Sequence, residues 1–217
     1  MFVRVSDLTS YIYCPRLCYY RLKFSRELPN EMHAARELYI SKRIGMGEEW
    51  ALEKYKTLYG DENTYVFIEA QRKFKFNPML DKLKSVDLEV WLESSKLRLR
   101  GILDEIVSFK GSRQPLVLSS KAPDNGAWFK DKIKVAAFCM LLGNSGSNGF
   151  VYHCFDGELR RVEISRRYKY HVMKLIERVL RLHKGFVPER AEDAKCNRCI
   201  YEETCRNEPS TFASRFL

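Results

Sequence analysis

Cys196-Asn197-Arg198-Cys199 is followed by Ile200 to Thr204 and then by Cys205, so that three thiols stand at the spacing C-x2-C-x5-C. Thiolates are soft ligands, and this spacing reads as a zinc or an iron–sulfur site. Three ligands leave a tetrahedral site one short. A fourth candidate, Cys14, lies almost a whole chain earlier, in Tyr13-Cys14-Pro15-Arg16-Leu17-Cys18. If Cys14 completes the set, residues 14 and 205 must meet, and the intervening chain must fold to bring them together.

The chain has 217 residues, enough for one large domain or a domain with a small appendage. With 45% hydrophobic and 30% charged residues it has the composition of a globular protein, which sets aside disordered and fibrous classes. Lys and Arg number 38 against 28 Asp and Glu, a net charge of +10 that favours a polyanionic partner, nucleic acid first. Seven Cys is an odd number, and the opening MFVRVSDLTS has no basic n-region followed by an apolar run. Both argue against a secreted disulfide framework and for the cytoplasm, where thiols stay reduced. The longest apolar run, Val135 to Leu142, is too short to span a bilayer, so no membrane is expected.

Read in order, residues 6–24 predict a helix that Pro15 kinks or restarts. Its aromatic residues, interleaved with Arg16, Arg21 and Lys23, suit either a core face or stacking on a single strand. Residues 31–59 are helical by pattern, with an interruption at Gly45 and Gly47. His33 lies on that stretch and reads as structural. From 64 to 121 the pattern predicts strands, beginning with Thr64 to Ile68 and with Phe74 and Phe76. Val86 to Leu92 and Leu97 to Asp104 alternate as a hairpin, Glu105 to Phe109 continues it, and Pro115 to Ser119 is a short apolar strand. Residues 128–142 predict a helix. Residues 149–155 and 158–164 predict a hairpin across Asp156-Gly157, and residues 165–184 predict a helix ending at Gly185. Cys139 and Cys154 fall on apolar stretches and read as core thiols. The implied class is α/β, a mixed sheet flanked by helices.

Two strands carry the chemistry. Asp104 ends one; Ser119 and Lys121, two apart on the next, share a face. A carboxylate on one strand beside a carboxylate two before a lysine on its neighbour is an arrangement that binds Mg²⁺ or Mn²⁺ and activates water for phosphodiester cleavage.

Four segments together resemble the CRISPR-associated RecB-like exonucleases that carry an iron–sulfur cluster, the fourth core family of that system. They are SDLTSYIYCPRLCYYR at the start, the Gly101-Ile102-Leu103-Asp104 strand, the strand-then-lysine at 116–121, and the cysteine run near the end. The resemblance implies a restriction-endonuclease-like PD-(D/E)XK core and a cysteine-bound cluster module joining the terminal segments. It implies a [4Fe–4S] cluster on Cys14, Cys196, Cys199 and Cys205, and a nuclease centre of Asp104 and Lys121 holding Mg²⁺ or Mn²⁺ on Asp104. The domains it suggests are residues 1–30 as a ligand-bearing helix, 31–185 as the nuclease core and 186–217 as the cluster module. The activity it implies is the binding and trimming of DNA ends before a CRISPR integrase inserts them, and it allows an oligomer without demanding one.

The chain departs from that pattern. Ser119 stands where the acidic ligand belongs. Glu48 and Glu49 stand near the expected helix histidine, and Lys134 and Phe138 where Gln and Tyr belong. A hydroxyl is a poor ligand for a hard divalent cation, and an ammonium there adds charge of the wrong sign. Asp124, Glu105, Glu48 or Glu49 are the carboxylates that a rescue would call on. The expectations are therefore a weakened nuclease, an inactive DNA-binding subunit beside the integrase, or a small zinc-stabilised nucleic-acid-binding protein. Arg160, Arg161, Arg166, Arg167 and Lys169 are the expected phosphate contacts.

Overall fold

Pro15 divides the aromatic N-terminal stretch. After a short strand β1 (Val3–Arg4), helix α1 covers Val5–Tyr13 and α2 covers Pro15–Phe24, with Pro15 in the first turn of α2. There its missing N–H leaves no hydrogen bond unmade. These are features of a computed structural model that describes residues 1–25, 28–143, 148–190, 196–197 and 199–212.

Helix α3 (Glu31–Arg43) starts at Asn30, whose side chain accepts from the Met32 N–H. Gly45, at φ +75°, and Gly47 then break the chain before α4 (Glu48–Tyr59). The next stretch corrects the sequence reading. Thr64–Lys73 is a helix, α5, and not a strand. Val66, Phe67 and Ala70 are its buried residues, and their spacing is helical. Tyr65 and Ile68, which made the stretch look β-rich, point outward at 66% and 41% exposure.

The hairpin then forms as read: β2 (Lys84–Ser94) runs antiparallel to β3 (Leu99–Phe109). Strand β4 (Ser112–Ser119) returns antiparallel to β3. Helix α6 (Phe129–Leu141) crosses over to β5 (Asn148–His153), which lies parallel to β4, and β6 (Glu158–Glu163) closes the edge antiparallel to β5. Helix α7 (Arg166–His183) and the short α8 (Glu202–Asn207) follow. The six strands form one mixed sheet, ordered β1-β3-β4-β5-β6 with β2 on β3.

Alternation along the strands separates two apolar layers. Val117 and Val151 point into a cluster with Leu8, Tyr20, Ile133, Phe138, Val172 and Val179, so α1, α2, α6 and α7 cover that face. Leu116, Leu118, Phe150 and Tyr152 point into another with Leu38, Tyr55 and Phe67, so α3, α4 and α5 cover the opposite face.

The expected metal-held module is a second correction. The two ends of the chain do meet, but among the described residues no group of three or more His, Cys, Asp or Glu is placed to hold a metal ion. A protein side chain joins them. Arg16, 3% exposed, donates from Nε to the Pro188 carbonyl at 2.8 Å and from Nη1 to the carbonyls of Cys205 at 3.1 Å and Glu208 at 2.8 Å. Tyr20, Phe24 and Tyr201 stack beside it.

Candidate functional site

Strand β3 delivers Asp104 to the sheet interior at 5% exposure. Its carboxylate is fully occupied by the protein. Oδ2 accepts the Leu118 N–H at 2.9 Å and the Lys134 ammonium at 3.1 Å; Arg36 Nε lies 3.3 Å from Oδ1. Arg36 comes from α3 and Lys134 from α6, one from each helical layer. Burial on its own pushes the Asp104 carboxyl up, but Lys134, Arg36 and the Leu118 amide outweigh it and hold it below the ordinary range.

The cations belong to a longer chain of alternating charge. Arg36 also stands 3.9 Å from Glu89, and Lys54 bridges Glu89 and Glu37, at 2.8 Å from the latter. Three carboxylates thus alternate with three cations. Burial raises the Glu37 carboxyl against the pull of Lys54. Glu89, flanked by the pairs Leu88–Glu105 and Val90–Leu103, takes φ +52°, a left-handed conformation that costs a non-glycine residue roughly 1–3 kcal/mol. Arg36, Glu37, Lys54 and Glu89 escape the sequence reading. The available signal is Glu37, a charged residue set in the buried stripe of Ala34, Ala35 and Leu38.

Ser119 does not face this network as a ligand. Its hydroxyl donates to Asp131 Oδ2 at 2.9 Å, both residues being buried. Burial raises the Asp131 carboxyl, opposed by the Ser119 hydrogen bond. Opposite Ser119 in the sheet sits His153, 0% exposed, with neither ring nitrogen hydrogen-bonded among the described residues; burial lowers its pKa and favours the neutral ring. Lys121 stands exposed, and no contact joins it to Asp104 among the described residues; its carbonyl accepts the Trp128 indole N–H at 2.8 Å. The other carboxylates are also placed away from Asp104. Glu105 is enclosed by Arg43 and Tyr39, Glu48 pairs with Lys42 and Gln71, and Asp124 is exposed.

The structure brings all four sequence-picked thiols to one pocket. Cys14, Cys196, Cys199 and Cys205 line it together with Arg16 and Tyr20. The expected [4Fe–4S] cluster, and a zinc ion in its place, nevertheless do not stand, because no metal-holding group exists among the described residues. Burial raises the Cys199 thiol, and the neighbouring Cys14, Cys205 and Cys196 raise it further. Mg²⁺ or Mn²⁺ on Asp104 falls with the same finding: the two cations already on the carboxylate leave no ligand set for a third. Of the aromatic residues in the N-terminal stretch, Tyr19 and Tyr20 are buried in the core, while Tyr13 and Phe24 are exposed. Of the expected phosphate contacts, Arg160 is engaged by Glu158 and the Gly126 carbonyl, while Arg161, Arg166 and Arg167 are exposed. No described helix is long and apolar enough to cross a membrane.

Comparison with known proteins gives three findings. No family model matches the chain, so the CRISPR-associated family expected from the sequence is not supported. An uncharacterized protein of Archaeoglobus fulgidus is 42% identical over 215 residues, covering 99% of this chain and all of that one; the chain belongs to one family with it. A crystal structure from Eubacterium rectale, named as a candidate exonuclease, matches 99% of this chain and 92% of its own length with a TM-score of 0.57 at 14% identity. That likeness extends to the fold, a mixed α/β sheet flanked by helices.

Proposed function

We propose that this chain binds nucleic acid on a nuclease-like fold whose central carboxylate is held by the protein's own cations and does not cut. The observation that carries this is Asp104, with Lys134 at 3.1 Å on one oxygen and Arg36 at 3.3 Å on the other. In metal-dependent cleavage a hard divalent ion occupies that position, activates water and steadies charge on the phosphate. An ammonium and a guanidinium balance the carboxylate's charge without activating water. The hydroxyl of Ser119, spent on Asp131, adds no anionic ligand. The net charge of +10 favours the polyanion, and the nuclease-like form of the fold makes a nucleic acid the polyanion of choice.

The test is a pair of measurements on labelled single- and double-stranded DNA. Binding followed by fluorescence anisotropy is expected, weakening steeply as salt rises. Incubation with Mg²⁺ or Mn²⁺ is expected to leave the strands intact. Cutting that vanishes in Asp104→Ala would overturn the inert centre, and absence of any binding would overturn the reading as a whole.

A further inference from the structure

A cleft of about 930 Å³ opens between α1, α6 and α7, and Asp104 is not among the residues that line it. Its walls combine two kinds of side chain. Phe129 and Tyr170 are 45% and 60% exposed, with His171 set between them, its ring centroid 5.5 Å from Phe129 and 6.1 Å from Tyr170. Arg178 and Arg181 follow on the same face of α7, about two and three turns further along. Both guanidinium groups are exposed, with no ion pair among the described residues. Both also draw down the Tyr11 hydroxyl, which burial raises, so they lie beside that ring as well.

Charge selects the class of ligand. Helix α7 carries Arg166, Arg167, Lys169, Lys174, Arg178 and Arg181 against a single acid, Glu177. That acid is neutralised by Lys174 at 3.1 Å, leaving Glu189 as the other acid on the cleft wall. The rings select the form. An exposed aromatic face stacks on a base only when the base is unpaired, whereas a duplex offers phosphates and groove edges. Rings at the start of α6 and in the second turn of α7, beside two guanidinium groups with no ion pair among the described residues, suit a strand whose bases stack while its phosphates pass the arginines.

We infer that the α1–α6–α7 cleft holds a single strand of nucleic acid, its bases on Phe129, Tyr170 and His171 and its phosphates on Arg178 and Arg181. This rests on the nucleic-acid reading given above and assigns it a site and a form. The aromatic wall begins at the start of α6, directly after Trp128, whose indole is tied to the Lys121 carbonyl at the end of β4. A strand in the cleft therefore runs up to the loop that follows β4.

The experiment measures binding of labelled oligo-dT and oligo-rU of about twelve nucleotides and of a duplex of the same length. Three double variants of the full chain are compared: Arg178→Glu with Arg181→Glu, Phe129→Ala with Tyr170→Ala, and, as a control of equal charge change, Lys82→Glu with Lys84→Glu. All six positions are exposed, and circular dichroism checks that each variant folds. The arginine pair is expected to lose at least tenfold in affinity for single strands, and the control pair at most about threefold. The aromatic pair is expected to lose at least tenfold on single strands and little on the duplex. The wild-type ratio of dT to rU affinity assigns the strand to DNA or RNA. Equal losses in the arginine and control pairs overturn the cleft while leaving nucleic-acid binding in place. Equal losses of the aromatic pair on strand and duplex overturn the choice of a single strand. A wild-type protein that binds none of the three overturns the underlying reading itself.

Discussion

Arg16 Nε donates to the carbonyl oxygen of Pro188 over 2.8 Å, joining residues 172 apart in sequence. Its Nη1 reaches the carbonyls of Cys205 and Glu208, at and just beyond the end of α8, where a helix leaves its last carbonyls without intrahelical partners. A planar guanidinium supplies several donors in fixed directions and suits this task better than an ammonium. Tyr19 and Lys23 add contacts to the Glu208 carboxylate at 3.0 and 2.9 Å. The meeting of the termini is thus a matter of hydrogen bonds to backbone.

Arg16→Met should therefore loosen the C-terminal segment. It leaves three carbonyls without their donor and keeps most of the side-chain volume, and the expected cost is roughly 3–5 kcal/mol. The denaturant midpoint falls accordingly, and amide exchange speeds up over residues 199–212 before it does in the sheet. Arg16→Lys recovers only part of the loss. A midpoint unmoved by Arg16→Met would mean that other contacts hold the ends.

Asp104 gives a stability signature in pH. Burial raises its carboxyl, but Lys134 and Arg36 lower it further, for a net depression below the ordinary value. In the unfolded chain it protonates near about pH 4. The native state keeps the charge to lower pH, so the stability this group adds is present above about pH 4 and is lost as pH falls through the folded value. Asp104→Asn, which leaves two cations without their anion, should cost about 3 kcal/mol at neutral pH. The deficit relative to wild type should narrow below about pH 4, as Asp104 of the unfolded wild-type chain takes up a proton, and close once pH falls through the lower folded value. A deficit constant across that range would show that Asp104 is not held as a charged group.

Asp131 should behave in the opposite sense. Burial raises its carboxyl despite the Ser119 hydrogen bond, so the native state takes up a proton more readily than the unfolded chain. Its ionisation therefore works against folding as pH rises through the unfolded value, near about pH 4, towards the folded one. Asp131→Asn keeps an acceptor for Ser119 Oγ and removes the buried charge. It should melt higher than wild type at neutral pH, with the gain disappearing below about pH 4. A lower melting point at neutral pH would mean that the Asp131 charge is compensated by its neighbours.

Much of the sheet was legible because its signals are local. The alternation in Val86 to Leu92 and Leu97 to Asp104, the Asp156-Gly157 turn and the long amphipathic α7 each depend on a few neighbouring residues. Helix α5 was misread because Tyr65 and Ile68, both outward-facing, outweighed the helical spacing of Val66, Phe67 and Ala70. The convergence of Cys14 with the later cysteines was legible in their spacing, but its consequence was not. Spacing places thiols near one another and does not decide whether they hold a metal ion. Arg16 was read only as one of the cations interleaved with the N-terminal aromatic residues, although it is buried and holds carbonyls up to 192 residues away. The cations on Asp104 come from separate helices, and no sequence period connects residues 36 and 134.

Gly149 marks where α6 presses on the sheet. A Cβ there would sit 2.5 Å from Val135 Cγ1, 2.8 Å from the Pro115 carbonyl oxygen and 3.1 Å from Pro115 Cγ. Val135 is fully buried, and a β-branched side chain in a helix has little rotamer freedom with which to withdraw. The Pro115 oxygen is backbone of β4, so relief requires α6 or β5 to shift. Overpacking of this kind costs about 1–3 kcal/mol. Gly149→Ala is expected at the upper end, while Gly47→Ala, with nothing within 4 Å, is expected to be nearly neutral. Because one clash is with a single methyl group, Val135→Ala combined with Gly149→Ala should destabilise by less than the sum of the two changes. Measured by urea titration, additive losses would place the strain of Gly149→Ala on the Pro115 backbone. A Gly149→Ala variant as stable as Gly47→Ala would show that β5 and α6 do not meet at this residue.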